Sequence, residues 1–137
     1  VGCGFGHDHL IRHLWKVKLP FEPAVLGQRA GIAALGDTEF LKRTVELTHG
    51  GLDYLYGELE SMGLFYVPSV ANFVLVQLAS PEAVRHVFQK LLERGIIVRP
   101  LTQYSMSDCL RITVGLPEEN ELCMRALRQV LENEKAP

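Results

Sequence analysis

Two hydrophobic patterns follow one another along the chain. From Asp8 to about Met62, apolar residues recur every three or four positions, which is the period of a helix. From Gly63 onward, short β-branched runs that alternate from side to side come between helical stretches. In the first region, HDHLIRHLWKVK puts Leu10, Leu14 and Val17 on one helical face, with Asp8 as the expected N-cap. Pro20 and Pro23 in LPFEP stop that helix. AVLGQRAGIAALG predicts a second helix whose small residues permit close packing. Asp37 is expected to cap a longer one from about Thr38 to Met62, with Phe40, Leu41, Val45, Leu52, Leu55 and Leu59 as its apolar stripe. Gly50 and Gly51 in its middle weaken it by on the order of 1 kcal/mol each and mark a bend, and Gly63 supplies the stop. Before all of this, Val1 to Phe5 reads as the end of a buried strand.

The second region reads β-α-β-β-α. ANFVLVQL is a strand, and SPEAVRHVFQKLLERG is a helix with Ser80 as N-cap, Pro81 in its first turn and Gly95 as terminator. IIVRP and CLRITVG are two more strands. PEENELCMRALRQVLENE, residues 117–134, is a closing helix with Leu122, Ala126, Leu127 and Val130 facing a core. The fold class is therefore α/β in three parts. Residues 1–36 are a remnant of another layer, 37–62 a long connecting helix, and 63–137 a small α+β domain with a three-stranded sheet and helices against it. At about 1.5 Å per residue the connecting helix is long enough to bridge two domains.

Composition narrows the class of function. A chain of 137 residues, 47% hydrophobic, can close one ordinary core and carry a dependent segment besides. A formal net charge of -2 gives no electrostatic reason for a nucleic-acid or anionic-membrane partner. No run reaches the roughly 18 to 20 apolar residues needed to cross a bilayer. Cys3, Cys109 and Cys123 are odd in number, widely spaced and without a CxxC pair, which favours a reducing compartment over a disulfide framework. The opening VGCGFG has neither a Met nor a leader pattern, so the chain is expected to begin inside a larger protein.

Most candidate chemistry has a plainer reading. GCGFG lacks the GxGxxG spacing and a P-loop lysine, and fits tight strand-to-helix packing better than a phosphate cradle. His9 and His13 share a helical face near His7, but there is no HExxH glutamate and no third ligand, so solvent-facing histidines are expected. Cys109 and Cys123 read as small hydrophobes. Glu118 and Glu119 are adjacent, and suit the positive end of a helix rather than an acid/base pair. The arginines are different. Arg99 closes one β-branched run and Arg111 interrupts another, where Leu110, Ile112 and Val114 take one face and Arg111 and Thr113 the other. Each guanidinium meets either water or an anion, and its planar fork matches carboxylate and phosphate oxygens.

The strings KVKLPFEPAVLGQRAGIAAL, PSVANFVLV, ERGIIVRP and LRITVGLPEEN stand in that order along the chain. In content and spacing they resemble the histidinol-phosphate aminotransferases, of the class II, fold-type I group of pyridoxal-phosphate enzymes, over essentially all 137 residues. The resemblance implies the C-terminal part of a fold-type I transferase, with residues 1–36 completing the large cofactor domain and 63–137 forming the small one. It implies pyridoxal 5'-phosphate in the full-length parent and amino transfer between histidinol phosphate and 2-oxoglutarate in histidine biosynthesis. It also implies a cytoplasmic homodimer. A threonine-phosphate decarboxylase or another class I/II aminotransferase fits the same fold, and from a different class residues 63–137 could be a non-catalytic small-molecule binding module. By the same resemblance Arg111 binds the substrate's anionic group and Arg99 assists with its phosphate. No catalytic or cofactor-binding residue is assigned in this chain. The Schiff-base lysine is expected upstream, Lys16 and Lys18 lack the serine-lysine setting, and the chain alone is expected to be inactive. Two departures stand out. Gln103-Tyr104-Ser105 replaces a common GYG, and Leu116 replaces a helix-capping Thr, a loss of about 1 kcal/mol.

Overall fold

The helices and strands of the computed structural model, which describes residues 1–133, follow one another as α1 (Asp8–Val17), α2 (Val25–Leu35), α3 (Thr38–Ser61), β1 (Phe65–Val67), β2 (Phe73–Gln77), α4 (Pro81–Leu92), β3 (Arg99–Leu101), β4 (Met106–Thr113) and α5 (Pro117–Asn133). The chain separates into two units whose boundary falls between Lys42 and Arg43, inside α3. The expected continuation of the last helix to Glu134, and the end of the third segment at 135–137, lie outside the described residues. Among those residues no helix is long and apolar enough to cross a membrane.

In the first unit no residue is buried. Val1 to Phe5 forms no strand but an exposed irregular segment. An extended stretch needs a neighbour to complete its ladder, and no strand among the described residues pairs with it. Leu10, Leu14 and Val17 of α1 are on a helix as expected, yet all are exposed rather than packed. The cap of α1 is His7, one residue before the expected Asp8: its Nδ1 accepts from the His9 amide, and Asp8 instead pairs with Arg12 at 2.7 Å. Asp37 does cap α3, its Oδ1 accepting from the Phe40 amide at 2.9 Å.

In the second unit the sheet is antiparallel throughout, in the order β1-β2-β4-β3. It has four strands, one more than expected. β1 is only three residues long and lies between a turn at Gly63 and Pro68, too short for alternation to register. β3 also begins later than IIVRP suggested, because the Ile96 amide is bonded to Leu91 O at 2.9 Å and closes α4 with the left-handed Gly95 (φ 76). Gly63 (φ 69) ends α3 the same way, with the Leu64 amide bonded to Leu59 O.

One sheet face carries Val74 and Val76 opposite Ile112 and Leu110, all buried. Against it pack Leu52, Leu55 and Leu59 of α3, Val84, Val87 and Leu91 of α4, and Met124, Leu127 and Val130 of α5. Two expected stripes need correcting. Phe40, Leu41 and Val45 of α3 are exposed, and the helix's buried residues are Gly51, Leu52, Leu55 and Leu59. In α5, Leu122 is exposed while Cys123 and Met124 are buried. α3 also runs uninterrupted through Gly50 and Gly51. An added Cβ on Gly51 would run into Val114 Cγ1, whereas one on Gly50 would meet nothing within 4 Å, so only Gly51 is required by close packing. The start of α5 compensates for Leu116: Glu119 Oε2 accepts from the Leu116 amide at 2.7 Å, and buried Asn120 holds both the N–H and the C=O of Gly115.

Candidate functional site

β4 lies between β2 and β3, and its alternation sends Leu110 and Ile112 into the core and Arg111 to the opposite face. In the register of the sheet Arg111 is the direct partner of Leu75 on one side and of Arg99 on the other. Directly paired residues of antiparallel strands project to the same side. The two arginines therefore share one face, which Leu75 and Phe73 of β2 continue. Like charges placed directly opposite destabilise a sheet pair, so the arrangement favours an anion between or above them.

The two guanidiniums are held differently. Arg111 is half-buried, with Cζ 5.0 Å from the centroid of the Phe73 ring. Its Nε is buried and has no hydrogen-bond partner among the described residues. Arg99, on the edge strand, is exposed. Its Nη2 donates to Tyr104 Oη at 3.3 Å, and its Cζ is 5.7 Å from the centre of that ring. Neither guanidinium forms an ion pair with a carboxylate among the described residues. A planar fork with free N–H donors and an aromatic ring beneath it binds carboxylate or phosphate oxygens in bidentate fashion.

Other sequence candidates are engaged elsewhere. His7 caps α1 and the His13 ring contacts His9 O at 2.8 Å. Lys18 Nζ donates to the Glu22 carbonyl and lies 5.1 Å from the centre of the Trp15 ring. Cys123 is enclosed in the core, and burial pushes its thiol up to about 11. Cys109 is raised as well, by burial and by the Asp108 carboxylate beside it. The cleft of about 440 Å³ lined by Met62, Leu64, Leu78, Ala83, Arg128 and Leu131 includes neither Arg99 nor Arg111.

Phe73 and Tyr104 are the residues that sequence reasoning missed. Alternation along FVLVQ puts Phe73 and Leu75 on one face, but that this is the arginine face depends on the pairing of β2 with β4. Tyr104 was visible only as part of an altered loop.

The profile of the family described as aminotransferase class I and II matches residues 1–127. The chain is 41% identical over 133 residues to a histidinol-phosphate aminotransferase of Oleidesulfovibrio alaskensis, covering 96% of this chain and 35% of that protein. It is 42% identical over 137 residues to histidinol-phosphate aminotransferase 2 of Ralstonia nicotianae, covering 99% and 37%. Among solved structures it resembles the Sinorhizobium meliloti histidinol-phosphate aminotransferase in complex with pyridoxal-5'-phosphate. That match has a TM-score of 0.79 and 26% identity over 90% of this chain and 34% of that one. A putative aminotransferase of Burkholderia pseudomallei matches with a TM-score of 0.77 and 28% identity over 91% and 38%. The chain thus spans about a third of the length of the curated relatives it matches.

Proposed function

We propose a function from one premise: the chain belongs to the aminotransferase class I and II family. It is the C-terminal part of a pyridoxal-phosphate-dependent aminotransferase that exchanges the amino group of histidinol phosphate with 2-oxoglutarate in histidine biosynthesis. Residues 1–36 belong to the large domain of that enzyme, 37–62 form the connecting helix and 63–137 the small domain. The enzyme is a cytoplasmic homodimer acting on small molecules. The names and coverage of its relatives support this reading. The observation that carries it locally is the cross-strand pairing of Arg99 with Arg111 on one face.

In this reading no described residue of the chain is given a part in holding the cofactor. Lys18 is occupied by the Glu22 carbonyl and Trp15, Lys16 is exposed on α1, and neither is assigned a part in the chemistry. The Schiff-base lysine belongs to the rest of the enzyme, and this chain alone carries no amino-transfer activity. Its contribution is to bind and orient anions. Arg111, supported on Phe73 and paired with no carboxylate among the described residues, takes the carboxylate of the keto acid and the phosphate of the amino donor in turn, because both offer two oxygens to one fork. Arg99 adds donors for the phosphate.

Replacing Arg111 by Ala in the full-length enzyme is expected to weaken transition-state binding of both substrates by about 2–5 kcal/mol, read as kcat/KM. Unchanged constants for both would overturn the assignment. A preference for simple amino acids over histidinol phosphate in the same assay would move the enzyme elsewhere in the family.

A further inference from the structure

We propose that Tyr104 is a positioning residue that sets the rotamer of Arg99, and through it the preference of this face for a phosphate ester over a plain carboxylate. The inference rests on the anion-binding reading of Arg99 and Arg111 given above.

The two arginines start from unequal positions. Arg111 sits on a central strand, half-buried above Phe73, so its guanidinium is held by its surroundings. Arg99 sits on an edge strand with its side chain in solvent, where a long flexible stem samples many rotamers. The only described side chain that gives Arg99 both a hydrogen bond and a ring contact is Tyr104. Tyr104 is itself placed by a tight device. Leu101 is buried and anchors one end of the loop, the register shifts between Pro100 and Leu101, and Leu101 pairs with Met106. Thr102–Tyr104 then form a single 3-10 turn closed by the Ser105 amide on Thr102 O at 3.1 Å, with Ser105 left-handed at φ 60. That turn folds the phenol back beside Arg99. The phenolic oxygen accepts one of the guanidinium's five N–H donors and leaves the remaining four for a ligand.

The selectivity follows from oxygen counting. A carboxylate has two oxygens, and one bidentate fork from Arg111 satisfies both. A phosphate monoester has three terminal oxygens and close to two negative charges at neutral pH, so an oxygen and a charge remain after Arg111 has bound. Arg99, whose Cα is the direct cross-strand partner of Arg111, is the group within reach of that third oxygen. Fixing Arg99 therefore favours the phosphorylated substrate and adds nothing to the one carboxylate of the keto acid that Arg111 holds; the keto acid's second carboxylate belongs at the far end of the molecule, away from this pair.

The test uses the full-length holoenzyme with Tyr104→Phe, Tyr104→Leu, Arg99→Ala and the double variant Arg99→Ala/Tyr104→Leu. The readouts are KM for histidinol phosphate, KM for 2-oxoglutarate, and competitive inhibition by inorganic phosphate. Tyr104→Phe keeps the ring and loses the hydroxyl, and is expected to raise KM for the phosphate ester about threefold. Tyr104→Leu removes the ring as well and is expected to raise it about tenfold, with phosphate inhibition weakened in parallel. KM for 2-oxoglutarate stays within about twofold, and in the Arg99→Ala background the Tyr104 substitution has no further effect. A loss that persists undiminished without Arg99, or an equal rise in both KM values, overturns the inference, since Tyr104 would then be supporting the loop in general. If Arg99→Ala weakens histidinol phosphate and Tyr104→Leu does not, the positioning role alone fails. If Arg99→Ala changes nothing, the anion-binding reading of Arg99 fails and takes the positioning role with it.

Discussion

Ser105 occupies the left-handed region at φ 60, where an L-residue with a Cβ is strained by roughly 1–2 kcal/mol. Glycine relieves that strain and gives back about 0.5–1 kcal/mol in extra freedom of the unfolded chain. The balance favours glycine, so Ser105→Gly is expected to raise stability by up to about 1 kcal/mol, read as a higher urea midpoint with an unchanged slope. A lower midpoint would mean that the serine hydroxyl holds the turn. Tyr66 gives a residue-level pH signature. Its hydroxyl donates to Glu60 Oε1 at 2.6 Å, and that carboxylate holds the phenol up at about 12. The neutral phenol is the form favoured by folding. Its contribution to stability is therefore complete below the ordinary tyrosine value near 10 and disappears as pH rises from there to about 12. Absorbance titration should show a late phenolate transition that Tyr66→Phe removes and Glu60→Ala brings back toward the ordinary value. A transition unmoved by Glu60→Ala would assign the shift to another cause.

At the scale of elements, α3 carries two adjacent glycines with opposite demands. Beyond Gly50 there is open space, so Gly50→Ala should stabilise the helix by about 0.5–1 kcal/mol through propensity alone. Gly51 faces Val114 and Asn120, and its Ala variant should lose more than propensity returns, about 1–3 kcal/mol of overpacking. Thermal melts of the two variants are expected to move in opposite directions, and shifts of the same sign would contradict the packing account. The same scale shows why the missing Thr cap of α5 does little harm. Glu119 and Asn120 bind the backbone of Gly115 and Leu116 from inside the helix, so the chain leaves β4 along a fixed path. This keeps the strand that bears Arg111 continuous with the helix that seals its core face.

For the whole molecule, the two units differ in self-sufficiency. The second closes a core in which Leu55, Leu59, Val87, Leu91 and Met124 are fully enclosed. The first buries nothing and leaves Phe21, Leu26, Ile32 and Leu35 open. Apolar burial is the main favourable term in folding, and without it helices of 10 and 11 residues are marginal in water. Residues 43–137 expressed alone are thus expected to unfold cooperatively, while 1–42 alone show little helical circular dichroism. Cooperative unfolding of the short segment would refute this. The α3 and α4 boundaries and the start of α5 were legible because caps and stops are local chemistry: Asp37, Ser80, Pro117, Gly63 and Gly95 each act on backbone a few residues away. The stripes of α1 and of the first half of α3, and Leu122, are exposed: periodicity marks an apolar face without saying what covers it.

By itself the sequence determined where most helices start and stop, that Arg111 faces away from Leu110 and Ile112, and, through four strings in register, the family. Those depend on neighbours within a few positions or on likeness along the chain. Only tertiary structure decided that Arg99 stands opposite Arg111, that Phe73 lies under one guanidinium and Tyr104 beside the other, and that a fourth strand completes the sheet. The reason is register. With a side-chain period of two, sliding one strand by a single residue sends every side chain to the other face, and the choice is made by burial of Val74, Val76, Leu110 and Ile112 together rather than by any strand alone.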